Sequence, residues 1–131
     1  MTESTSPAGL SKRVHDVVQQ YVLRRAEDRS GMSWQDAQRD ATIDPQTGRK
    51  HLPDEYRLAR EKVCQSAFLA MRSCRSREDF VEFFTGTICS VPQFLPLAEY
   101  QLLATALLGS GDEWEQVKAL SMLTLSALSH V

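Results

Sequence analysis

At 131 residues with 42% hydrophobic content, the chain has the length and composition of one soluble domain with a single modest core. Its net charge of −2 and pI near 5.9 argue, as averages, against a nucleic-acid partner. The average conceals an asymmetry: residues 1–77 hold 14 of the 15 lysines and arginines against 10 acids, for +4, whereas 78–131 hold only Lys118 against 7 acids, for −6. A chain polarised in this way can meet a polyanion with one face and a protein with another, or it can simply be solvated unevenly.

The opening, MTESTSPAGLSKR, has no apolar core and does not read as a signal peptide. Residues 1–9 read as a flexible lead-in, and 10–131 as one helical-bundle domain. Leu10, Val14, Val17, Val18, Tyr21 and Val22 recur at three- and four-residue spacing, the stripe of an amphipathic helix over roughly 8–30. Pro7 suits its start and Gly31 its end. Lys12, Arg13, Arg24 and Arg29 fall on its polar side, either as a solvated fringe or as phosphate contacts.

Residues 31–52 read as a long connecting loop, with Ser33 able to cap a short turn at Trp34 and DPQTG (44–48) reading as a turn. Arg39, Arg49 and Lys50 make it a candidate nucleic-acid contact. Trp34 reads first as a core anchor and only second as a base-stacking platform.

A second helix is expected from Pro53 to about Cys74, with Tyr56, Ala59, Val63, Ala67, Ala70 and Cys74 on one face. Beside that face, Arg57, Arg60, Arg72 and Arg75 fall within about 60° of a common line, as two pairs roughly 22 Å apart. Guanidinium groups so placed suit the phosphates of an extended strand, because they contact the backbone whatever its sequence. Arg57 could instead pair with Glu61 along the helix.

Ser76 with Asp79 three residues on marks another helix start, followed by Phe80, Val81, Phe83, Phe84 and Ile88 over about twelve residues. Gly86 is expected to let a neighbour approach closely, and Val91-Pro92 and Leu95-Pro96 to force an extended link. Cys64, Cys74 and Cys89 are an odd number without paired spacing, so a disulfide framework is not expected and a reducing, cytoplasmic compartment fits best. Cys89 has no histidine placed to activate it, and His15, His51 and His130 have no metal-like spacing; buried structural thiols are the better reading. Two more helices are expected, over 97–108 and 113–129, the latter capped by Asp112. In the last, Trp114, Leu120, Leu123 and Leu128, among others, point in nearly every direction. It is therefore either a central core helix or one pressed against another protein. The apolar stretches are too interrupted for a membrane span.

The pattern predicts an all-α bundle of about five helices. No catalytic constellation, metal set or cofactor loop stands out, so a binding or scaffold protein is expected rather than an enzyme. REDFVEFFTGTICSVPQFLP (77–96), WEQVKALSMLTLSAL (114–128) and YRLAREKVCQSAFLAMRSC (56–74) resemble the C-terminal region of the large subunit of type I CRISPR Cascade surveillance complexes, of the I-B-like, Myxococcus-type variants. The resemblance covers 53–130 well and 10–30 more loosely. In that family this region is similar to a separately made small subunit, often translated from an internal start, and the length and Met1 fit such a product.

The resemblance implies a non-catalytic helical subunit in multiple copies beside the large subunit and the repeated backbone subunits. It also implies contact with the guide RNA–DNA duplex and the displaced DNA strand, where guide pairing reads the sequence and the protein supplies charge and shape. On that reading Arg24, Arg29, Arg49, Lys50, Arg57, Arg60, Arg72 and Arg75 meet DNA phosphates. Trp114, Leu120, Leu123 and Leu128 face neighbouring proteins. Two rival readings are a helical adaptor that binds only proteins and a small helical DNA-binding regulator. The long 31–52 connection and the proline-rich link argue against the second, which needs a short turn before a recognition helix.

Overall fold

The apolar stripe after Pro7 does build a helix. In the computed structural model, which describes residues 7–90 and 113–129, α1 runs Pro7–Ser30. Pro7 to Gly9 are already helical, which shortens the expected flexible lead-in. A proline's fixed φ suits the first helical turn, where its missing N–H has no partner to lose. Gly31 ends the helix at φ 73°, its N–H donating to the Glu27 carbonyl at 2.9 Å. That left-handed conformation is one a glycine adopts without a Cβ penalty.

The connection expected to be a loop has regular structure. A short helix, α2 (Trp34–Arg39), is capped by the Ser33 hydroxyl, which accepts from the Asp36 N–H at 3.0 Å. An antiparallel hairpin follows, pairing β1 (Thr42–Ile43) with β2 (Lys50–His51) in the register Thr42↔His51 and Ile43↔Lys50. Its turn is the DPQTG segment. Asp44 Oδ1 accepts from the Gln46 N–H at 2.8 Å, and Gly48 closes the bend at φ 70°. Two-residue strands leave the chain all-α in class.

The long helix α3 covers Asp54–Ser73, starting directly after Pro53 with two acids in its first turn. Helix α4 (Arg77–Gly86) is capped by Ser76, whose hydroxyl accepts from the Asp79 N–H at 3.1 Å. It is shorter than the twelve residues expected, because the chain tightens into a 3-10 turn at Ile88–Ser90. Among the described residues nothing approaches Gly86 closely: a Cβ there would meet no atom within 4 Å. Helix α5 spans Glu113–Ser129. The expected helix over 97–108, the proline link at 91–96 and the Asp112 cap lie outside the described residues.

Helices α1, α3 and α5 pack against one another, and α4 leans on α5. Their shared core joins Val14, Val18, Cys64, Met71, Phe80 and Leu125, among others. A smaller cluster of Ala26, Ala37 and Tyr56 sits under the connection, with Trp34 packed on Tyr56 at 5.6 Å between ring centroids. Trp34 is therefore an anchor that pins α2 to α3. Among the described residues no helix is long and apolar enough to cross a membrane.

Candidate nucleic-acid interface

The arginine line expected along α3 is broken at two places. Arg60 is buried, at 3% exposure, with its Nε unpaired among the described residues. It sits between α3 residues that face the core, and burial pulls its pKa below the usual arginine value. Arg75 lies beyond the end of α3, after Cys74 has turned to extended backbone (ψ 111°), so the helical projection does not carry to it. Arg72 and Arg57 remain exposed on the helix. Arg57 pairs with Asp54 on the preceding turn at 3.3 Å rather than with Glu61, which accepts from Gln65 at 3.4 Å. An exposed pair of this kind is worth little and opens easily to a phosphate.

On α1, Arg24 stands 3.7 Å from Asp28, whereas Arg29 has no carboxylate partner among the described residues. The two arginines line separate grooves, Arg24 beside Trp34 and Arg29 beside Val63 and Ser66. Setting aside Arg24 and Arg57, which are paired, and Arg60, which is buried, five of the eight expected cations remain. Arg29, Arg49, Lys50, Arg72 and Arg75 are exposed and carry no ion pair among the described residues.

The structure brings together a group that spacing alone does not reveal. Arg49, Lys50 and His51, on or beside β2, share a cleft of about 620 Å³ with Arg57 and Glu61 of α3 and Ser129 of α5. The hairpin folds its basic strand back over the start of α3, so residues six to eight positions apart in sequence face one space. His51 was not expected here. The Arg-Lys-His run is the one sequence signal that could have placed it. Asp44, 3.9 Å from His51, is held below its usual carboxylate range chiefly by the Gln46 N–H.

Of the residues expected to face other proteins, Trp114, Leu120 and Leu128 are partly buried and pack against the chain's own core. Leu123 is 68% exposed. The buried face of α5 consists of Val117, Ser121, Thr124 and Leu125, so half of it is small and polar. Sequence reasoning gave Lys118 no role, yet its Nζ donates to the Cys74 carbonyl at 2.6 Å and lies 5.9 Å from the Trp114 ring. The thiols of Cys64 and Cys89 are pushed up by burial, to about 11 and about 12. They stay protonated at neutral pH, the unreactive form. Among the described residues no His, Cys, Asp or Glu cluster could hold a metal ion.

The family model for the type I-B CRISPR Cas8b C-terminal domain matches residues 1–128. No curated protein and no solved structure matches the chain.

Proposed function

The chain belongs to the type I-B CRISPR Cas8b C-terminal domain family, and from that premise we propose that it serves as a non-catalytic small subunit of an RNA-guided effector complex. It acts in the cytoplasm, packs beside the large subunit and the repeated backbone subunits, and holds target or displaced DNA by its backbone during R-loop formation. The observation that carries this reading is the set of exposed cations Arg29, Arg49, Lys50, Arg72 and Arg75, unpaired among the described residues, in the first 77 residues of a chain whose remainder is acidic. Long cations left without carboxylates are placed to neutralise phosphates and release counterions, with no need to read bases. The acidic C-terminal half, with Leu123 open on α5, is the part that meets neighbouring protein.

Leu69, 58% exposed on α3, favours a second reading in which the chain is purely a protein adaptor. Purification of the tagged chain from cells that express the complete system separates the alternatives. The proposal expects guide RNA and the repeated backbone subunits to come with it, and the complex to lose target-DNA affinity when the chain is omitted. Recovery of the chain free of RNA, or a complex equally tight without it, overturns the proposal.

A further inference from the structure

We infer that the cleft between the β1–β2 hairpin, the first turns of α3 and the end of α5 is a seat for one backbone phosphate of a nucleic acid, held by Lys50 and His51 from the strand side and Arg57 from the helix side. The inference rests on the proposed DNA contact and gives it a place. Four basic side chains from the hairpin and α3 line one concavity, against one lining carboxylate among the described residues, that of Glu61. Its volume of about 620 Å³ lies within the range of small-ligand sites, roomy enough for a phosphate with its sugar.

The cations are available. Lys50 and Arg49 have no carboxylate partner among the described residues, and Arg57 is held only by an exposed pair to Asp54. Asp44, the acid nearest the strand, is engaged by the turn it builds, accepting the Gln46 N–H at 2.8 Å. Arg60, between Arg57 and Glu61 in sequence, is buried with its Nε unpaired among the described residues, and near enough to Arg57 to repel it. A phosphodiester suits this set better than a lone carboxylate, since its tetrahedral phosphorus spreads two charged and two ester oxygens out of one plane, toward donors on both walls.

The test measures anisotropy of a fluorescein-labelled, mixed-sequence single-stranded DNA with the full-length chain over a salt series. Replacing Arg49 and Lys50 with alanine is expected to weaken binding about tenfold and to flatten the log–log salt slope by about 1. Unaltered affinity and slope in the alanine variant, together with losses in an Arg72→Ala/Arg75→Ala variant, would overturn the cleft while leaving the DNA reading standing. No DNA binding by any form would overturn both. Competition by polyglutamate as effective as by DNA would reassign the cleft to an acidic protein segment and overturn the phosphate seat.

Discussion

Arg60 is the residue where charge and packing conflict most sharply. It lies in the core layer between Tyr56 and Cys64, and neither neighbour offers a negative charge, for burial raises their pKa values to about 12 and about 11. A guanidinium out of water without a counter-ion destabilises the fold, and an apolar chain of similar length removes that cost. Arg60→Met is therefore expected to raise stability by about 1–2 kcal/mol in urea unfolding; a lower midpoint would show that Arg60 is held by contacts the packing does not reveal. The sequence put Arg60 in the exposed arginine line because it sits only about 40° around the helix from Tyr56, beside the core face rather than opposite it. A helical projection gives direction but not depth. With α1 and α5 both packed on α3, the buried arc is wide enough to take in Arg60. Cys89 and Trp34 were legible for the opposite reason: a thiol without an activating base and a large ring beside a capping serine both point inward on chemical grounds alone.

Among the elements, those with caps and long periodicity were readable. Ser33 and Ser76 each stand three residues before an aspartate, and each accepts that aspartate's N–H in the structure. The hairpin was only half readable. Its turn was evident from DPQTG, but strands of two residues are too short to show any alternation. The cleft depends on those strands, and it stayed hidden with them. Lys118 shows a different limit, since its partner is 44 residues away. It ties α5 to Cys74, the residue that closes α3, by donating to that residue's carbonyl just past the helix's negative end. Lys118→Met should retain the packing on Trp114 while losing the charged hydrogen bond. It is expected to lower stability by about 1.5 kcal/mol in urea unfolding. An unchanged midpoint would mean that α5 is held by its apolar face alone.

At the scale of the whole molecule, α5 is the wedge that α1 and α3 share, and its small buried Ser121 and Thr124 leave room for that contact. Three of its four candidate interface residues are thus occupied at least in part within the chain, leaving Leu123 as the open one. The all-α class was legible because helices carry their own periodic signal, whereas the grouping of cations was not, because it is set by how the hairpin folds over α3. The charge asymmetry was visible from composition and is the feature the functional account depends on. Its central claim is that exposed, unpaired arginines hold the DNA backbone within the type I-B complex. The most direct measurement is target-DNA affinity over a salt series, for complexes assembled with the natural chain or with one carrying Arg29→Gln, Arg72→Gln and Arg75→Gln. The account predicts normal assembly, weaker binding and a log–log salt slope shallower by about 2. Equal affinity and equal slope in the two complexes would contradict it.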